Sequence, residues 1–121
     1  MLFDVERTTV AGRPGLTVRG ELDLVTVQVF AAAVDTAITS RPAALAIDLS
    51  HTTFMDSSGA RQLARTAKQA ASAEVTLHVV VPKSNIPVRL TVDLLDLGAV
   101  VPIVESVEEI PPDSSGRNRD S

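Results

Sequence analysis

The chain has 121 residues, of which 45% are hydrophobic, and its formal net charge is −4. Such a length is typical of one domain. The absence of cysteine excludes a disulfide framework, a cysteine-based zinc site and a cysteine nucleophile. The negative charge argues against binding to the phosphate backbone of a nucleic acid. No stretch has the pattern of a signal peptide or the length of a membrane span, so we expect a cytoplasmic protein that does not act at a membrane.

The N-terminal part of the sequence predicts a β-hairpin followed by a helix. Residues 2–10 and 16–22 alternate between apolar and polar positions, and the stretch 11–15 between them is rich in turn-forming residues. Apolar residues then recur at helical spacing from Val27 to Ile38. Thr26 is the candidate N-cap of this helix, because threonine can bond the free backbone N–H groups of a first turn.

The remaining elements alternate between strands and helices. The apolar runs 44–49 and 75–81 predict buried strands, and 100–105 predicts a last strand. The helix after the first run would bury Ala60, Leu63, Ala64, Ala67 and Ala71. The helix after the second run would start at Ser84 or Asn85, bury Ile86, Leu90, Leu94 and Leu97, and end at Gly98. The order β-β-α-β-α-β-α-β predicts an α/β fold with a mixed sheet, in which a hairpin joins parallel strands and helices pack on them.

The last residues differ from the rest of the chain. Residues 111–121 are polar, rich in Pro, Gly and Ser, and have no apolar periodicity. We therefore expect a disordered tail there and a single domain over residues 1–110.

The sequence offers little for enzyme chemistry. Its two histidines, His51 and His78, have no nearby pattern of a Ser–His–Asp triad, and the turn Asp-Ser-Ser-Gly is not the Gly-x-Ser-x-Gly elbow of hydrolases. The sequence shows no metal-ligand spacing and no phosphate-binding loop. We therefore predict a protein that is not an enzyme and that needs neither a cofactor nor a metal.

The stretch Phe-Met-Asp-Ser-Ser-Gly-Ala, residues 54–60, is the most informative. A serine at the start of the helix, Ser57 or Ser58, can cap backbone N–H groups and needs no further function. The same position suits a phosphoserine, because free N–H groups and the helix dipole favour an anion. The residues alone leave both interpretations open.

Three blocks of the sequence, in order, resemble the STAS-domain anti-sigma factor antagonists of bacteria, also called anti-anti-sigma factors. Residues 20–26 resemble the family's Gly-Glu-(Leu/Ile)-Asp-x-x-Thr. Residues 47–60 resemble its apolar strand followed by Asp-Ser-(Ser/Thr)-Gly, and residues 94–104 resemble its late helix end, glycine and last strand. The similarity extends over about residues 5–110, and it implies a STAS-type fold.

The resemblance also implies a mechanism and a set of site residues. In this family the unmodified protein binds an anti-sigma factor that is also a GHKL-type serine kinase, and a sigma factor is released. Phosphorylation of the motif serine ends the binding, and a PP2C-type phosphatase restores it. Carried over, Ser57 is the phosphoacceptor, and the surrounding partner-binding residues are Asp56, Ser58, Gly59, Ala60, Arg61, Glu21, Asp23 and Thr26. The expected protein is a monomer or a weak dimer.

The sequence departs from the family pattern immediately after Asp-Ser-Ser-Gly. Ala60 and Arg61 stand where Leu-Gly is usual. Arg61 either pairs with a phosphate on Ser57, selects a partner with an acidic docking surface, or only begins a solvated basic face with Arg65 and Lys68. Two other functions also stay open, namely a STAS interaction or scaffold module that is never phosphorylated, and a STAS domain that binds a nucleotide or small ligand.

Overall fold

The structure is a computed structural model that describes residues 2–111. The predicted disordered tail, beyond Pro111, lies outside the described residues. The strands are β1 (Asp4–Val10), β2 (Arg13–Leu22), β3 (Ala44–Asp48), β4 (Thr52–Met55), β5 (Thr76–Val80) and β6 (Ile103–Val104). The helices are α1 (Val27–Thr39), α2 (Ser57–Ser72) and α3 (Ile86–Leu94), with short 3-10 turns at Leu97–Ala99 and Val107–Glu109.

The sheet combines an antiparallel hairpin with parallel strands, as predicted. Its strand order is β1-β2-β3-β5-β6, in which β1 and β2 pair antiparallel and the other neighbours pair in parallel. Each parallel neighbour is reached through a helical crossover, which is the connection that parallel strands require. The predicted α/β fold with a mixed sheet is therefore confirmed.

One strand, β4, was not predicted from the sequence, which placed only a short link there. It pairs in parallel with the last residues of β2, from Gly20 to Leu22. β2 can serve two partners because it bends at Gly20, where the pairing register shifts and the backbone has a φ of 97° that suits glycine. The element order is thus β-β-α-β-β-α-β-α-β. The extra pairing brings the end of β4 beside the end of β2, directly before α2.

The helices pack on one face of the sheet and form the main core with it. Phe30, Val34 and Ile38 of α1 are buried, as the helical spacing predicted. In α2 the prediction was only partly right, because Ala60 and Leu63 are buried but Ala71 is exposed. The buried face of α2 also includes three residues that the prediction left out, Gly59, Thr66 and Ala70. These small side chains let α2 lie close to the strands.

In α3 the predicted inner face is wrong. Val88 and Val92 are buried, whereas Ile86, Leu90 and Leu94 are 66%, 58% and 73% exposed. Leu97 is buried as predicted, but it belongs to the 3-10 turn after the helix. Gly98 lies inside that same turn and does not cap α3, and the left-handed residue nearby is Asp96, with a φ of 50°.

The opposite face of the sheet is partly covered by the end of the described chain. Ile110 packs there against Val10, Ala46 and Val80. Arg13 is buried and its guanidinium donates a hydrogen bond of 2.6 Å to the carbonyl oxygen of Pro111. His78 of β5 lies on this face too, and burial, with a smaller contribution from the charge of Arg13, lowers its pKa below the ordinary value of about 6.5.

Candidate functional site

Asp56 caps α2, whereas the sequence predicted that Ser57 or Ser58 would do so. One carboxylate oxygen of Asp56, Oδ1, accepts hydrogen bonds from the backbone N–H groups of Ser58 at 2.9 Å and Gly59 at 3.1 Å. Asp56 has the extended backbone that is usual for an N-cap, and Ser57 is the first helical residue. The negative cap also interacts favourably with the helix dipole.

Asp56 also joins α2 to the end of β2. Its second oxygen, Oδ2, accepts a hydrogen bond of 3.3 Å from the backbone N–H of Leu24, and its own N–H donates to the carbonyl oxygen of Leu22 at 3.2 Å. The two sequence blocks around residues 20–26 and 56–59 therefore meet in space through one side chain.

The loop between β2 and α1 is held by its own polar residues. Oδ1 of Asp23 accepts from the N–H groups of Val25 at 3.0 Å and Thr26 at 3.1 Å. Thr26 occupies the N-cap position of α1, as predicted, but its side chain makes no cap bond. Its hydroxyl donates instead to the carbonyl oxygen of Glu21 at 2.6 Å. Glu21 itself is exposed. The loop is thus fixed by Asp23 and Thr26 beside Asp56.

Gly59 leaves no room for a side chain. A Cβ atom at this position would lie 2.8 Å from the carbonyl oxygen of Leu22 and 2.8 Å from Cγ of Met55. Glycine is therefore required for α2 to approach β2 closely. Ala60, the next residue, is also buried, at 2% exposure, so the first turn of α2 is packed on its inner side.

The outer side of the same turn presents Ser57. This serine is exposed, and its hydroxyl makes no hydrogen bond with the described residues 2–111. It borders a shallow pocket of about 260 Å³ with Ala60, Arg61, Leu95 and Leu97.

Exposed aliphatic side chains lie on two segments next to this turn. Leu24 and Val25 are 72% and 85% exposed in the β2–α1 loop, and Leu94 and Leu95 are 73% and 50% exposed at the end of α3. Sequence reasoning missed all four as candidate contact residues. The available signal was that the two leucines at the end of α3 are adjacent, so one helical stripe cannot bury both.

A second depression, of about 630 Å³, lies away from Ser57. Its lining includes Arg19, Ser50, His51, Ser84 and Asn85, with no Phe, Tyr or Trp, so it has no large aromatic ring on which a nucleotide base could stack. His51 lines this depression and not the pocket at Ser57. The described residues contain no group of His, Asp and Glu that could hold a metal ion. Within residues 2–111, no helix is both long and apolar enough to cross a membrane.

Together the fold and this turn define a small α/β domain with an exposed serine in the first turn of a helix. The STAS domain model matches residues 6–110, so the chain belongs to the STAS domain family. An anti-sigma factor antagonist from Mycobacterium paratuberculosis has a similar structure, with 26% identity, a TM-score of 0.78, and coverage of 98% of this chain and 96% of that one.

More distant structures share the fold. SpoIIAA, described as an anti-sigma factor antagonist and as a Bacillus cell fate determinant, is 21% identical with a TM-score of 0.60 in its unphosphorylated form, and the alignment covers 99% of this chain and 100% of that one. A Thermotoga maritima protein is 16% identical with a TM-score of 0.65, over 97% and 92% of the two chains. No curated protein matches the sequence significantly. The anti-sigma factor antagonists of this family are non-enzymatic regulators, in agreement with the predicted lack of enzyme activity.

Proposed function

We propose that this protein is an anti-sigma factor antagonist that binds an anti-sigma factor, releases a sigma factor, and is switched off by phosphorylation of Ser57. The exposed hydroxyl of Ser57 carries the proposal, because the turn around it is held by Asp56 and not by the serine. A kinase can therefore modify Ser57 without removing any hydrogen bond that fixes the start of α2. The general role is supported by the similarity to the Mycobacterium paratuberculosis antagonist.

A phosphate on Ser57 would act on the surface of the protein. The N–H groups of Ser58 and Gly59, which could otherwise bind a phosphate, already donate to Asp56. The phosphate would gain the favourable helix dipole but would project outward, with a charge of roughly −1.5 to −2. It would stand beside the exposed Leu95, which lines the same pocket as Ser57, where an apolar partner surface would have to cover it.

The size of this effect is sufficient for a switch. Burying an unpaired charge or placing like charges together in an interface costs several kcal/mol. A penalty of ~4 kcal/mol weakens binding about a thousandfold, since ~1.4 kcal/mol corresponds to a factor of ten. No refolding of the domain is needed for such a loss.

The partners of the proposed switch follow from the family resemblance. The anti-sigma factor would be a GHKL-type serine kinase that phosphorylates Ser57, and a PP2C-type phosphatase would restore the binding form. SpoIIAA has been solved in both unphosphorylated and phosphorylated forms. We expect the present chain to exist in two corresponding forms.

Phosphorylation by the anti-sigma factor kinase of the same organism, followed by mass spectrometry, tests the proposal. We expect one phosphate, on Ser57, and none after Ser57→Ala, whereas Ser58→Ala should leave the modification intact. Ser57→Asp should weaken binding to the kinase by at least tenfold. If Ser57 takes up no phosphate and Ser57→Asp binds as well as the wild type, the protein is an unswitched interaction module instead.

A further inference from the structure

The groove between α1 and α2 opens next to the Ser57 turn. It has a volume of about 500 Å³, and small side chains of α1, Ala31 and Ala32, form part of its lining. Arg61 and Arg65 of α2, one helical turn apart, line it from the other side, with Gln28 and Gln62 also present. Arg61 borders both this groove and the pocket at Ser57, so the two depressions are neighbours that share its side chain.

Near the Ser57 turn, the carboxylates of three aspartates accept hydrogen bonds within the protein, whereas two arginines have no acidic partner among residues 2–111. The carboxylates of Asp23 and Asp56 accept backbone hydrogen bonds and are thereby engaged within the protein. Asp35, the acid of the groove, accepts a hydrogen bond of 2.9 Å from the amide of Gln69. Arg61 and Arg65, by contrast, are exposed and have no carboxylate within 4.0 Å among residues 2–111. The groove therefore offers unpaired guanidinium groups in a protein whose net charge is −4.

We propose that this groove is the docking site for an acidic segment of the anti-sigma factor, with Arg61 and Arg65 as the residues that select it. The inference rests on the proposed function and adds the kind of partner surface. A guanidinium binds a carboxylate through two parallel N–H groups, which gives direction as well as charge. The small alanines of α1 leave space for the backbone of a partner segment, and the glutamine amides can bond its peptide groups.

A nucleic acid fits this surface less well than an acidic protein segment. Strong binding to a phosphate backbone takes several lysines and arginines and a positive field. Here the groove also contains Asp35, and the whole chain is acidic. Two arginines in a groove whose one acid within the described part of the chain, Asp35, already accepts a hydrogen bond from Gln69 match a short run of Asp or Glu residues.

The test measures association of the protein with the anti-sigma factor kinase of the same organism. We expect Arg61→Glu and Arg65→Glu each to lower the association rate constant about fivefold or more at low salt, because charges at an interface act mainly on the rate of encounter. The wild-type rate should fall as salt is raised, and the variants should lose most of this dependence. Arg7→Glu, an equal change of charge at an exposed residue of β1, is the matched control and should change the rate less than twofold.

A second measurement locates the contact. Amide hydrogen exchange in the complex should show protection over residues 27–35 and 58–69, and this protection should weaken with Arg61→Gln and Arg65→Gln. Since both arginines are exposed, we expect their variants to keep the wild-type melting temperature.

The outcomes separate this inference from the proposed function. If the kinase binds, and Ser57→Asp blocks it, but neither arginine variant changes the rate or the salt dependence, the docking site is overturned and the proposed function stands. If the kinase does not bind the wild type, both fall. Binding of a duplex DNA fragment that both arginine variants abolish, without an effect on the kinase, would overturn the inference in favour of a nucleic-acid surface.

Discussion

The helices α2 and α3 both follow a strand and a polar residue, but their first turns are built differently. At α2, Asp56 turns its carboxylate onto the helix and accepts from Ser58 and Gly59. At α3, Asn85 occupies the cap position and turns its amide away, donating to the carbonyl oxygens of Leu49 at 3.0 Å and Thr52 at 2.8 Å. The first side chain fixes a helix, whereas the second fixes the turn between β3 and β4.

The two helices are nevertheless attached to the same place. Thr91 of α3 donates a hydrogen bond of 2.6 Å to the carbonyl oxygen of Met55, the residue directly before Asp56. The end of β4 is thus held by β2 through backbone pairing and by α3 through a side chain. The comparison shows that α2 presents the candidate site, while α3 supports it from the side and leaves its own leucines exposed.

The largest expected effect is at the contact of α2 with β2. Gly59→Ala should lower the free energy of unfolding by about 3 kcal/mol, because the new Cβ would lie 2.8 Å from the carbonyl oxygen of Leu22. In most helices this substitution stabilises instead. Urea unfolding measures the loss of stability in Gly59→Ala. Gly98→Ala is the control, since a Cβ at Gly98 meets nothing within 4 Å. Equal stability of the two variants would contradict the close approach of α2.

The next effect distinguishes the two faces of α3. Val88→Ala should cost about 2 kcal/mol, because it removes two buried methyl groups and leaves a cavity. Leu90→Ala, although it removes more atoms, should change stability by less than about 0.5 kcal/mol since Leu90 is 58% exposed. Thermal or urea unfolding of both variants checks which face of α3 is buried. A larger loss of stability in Leu90→Ala than in Val88→Ala would show that the face predicted from the sequence is the buried one.

A smaller effect separates the two helix starts. Asp56→Ala should destabilise the protein by about 1 kcal/mol, as the loss of an N-cap usually does. It should also speed hydrogen exchange at the amides of Ser58, Gly59 and Leu24, which lose their acceptor. Asn85→Ala should leave those amides protected. Unchanged exchange in Asp56→Ala would show that the cap does not hold the turn.

The smallest effect is expected on the sheet face that neither helix covers. The pKa of His78 is lowered in the folded protein, so the unfolded chain takes up a proton first as the pH falls below about 6.5. The folded state should therefore lose stability over that range and down to the lowered pKa, and regain it above about 6.5. The free energy of unfolding of the wild type and of His78→Gln should be measured as a function of pH. The loss of stability caused by His78 below about pH 6.5 should appear in the wild type alone. The helix contacts tested above should be independent of it.

The sequence predicted the parts of the fold whose signals are local. The turn residues of the hairpin, the helical spacing of α1 and the apolar runs of β3 and β5 each specify an element without reference to its neighbours. The strand β4 could not be found in this way, because its four residues become a strand only by pairing with the distant end of β2.

The errors in the helices have a similar cause. The sequence of α3 contains two apolar stripes, and the larger one, with Ile86, Leu90 and Leu94, faces outward. Which stripe is buried depends on where β4 and α2 already lie. At the candidate site, the resemblance named Ser57 and Asp56, and the cap bonds of Asp56 to Ser58 and Gly59 are local, of the kind that an Asp before a helix can make. The bond of Asp56 to the N–H of Leu24 joins residues 32 positions apart. No local pattern contains that contact.

The bonds of Asp56 set a condition on any attempt to transplant this motif into another protein. The residues Asp-Ser-Ser-Gly would bring only one of the segments that the carboxylate holds, because the N–H of Leu24 belongs to the other. Gly59 would likewise need the carbonyl oxygen of Leu22 at the same close distance. A graft of residues 54–60 alone should give a serine in a loosely held loop, whereas a functional transfer requires residues 20–26 together with 52–60 as one unit.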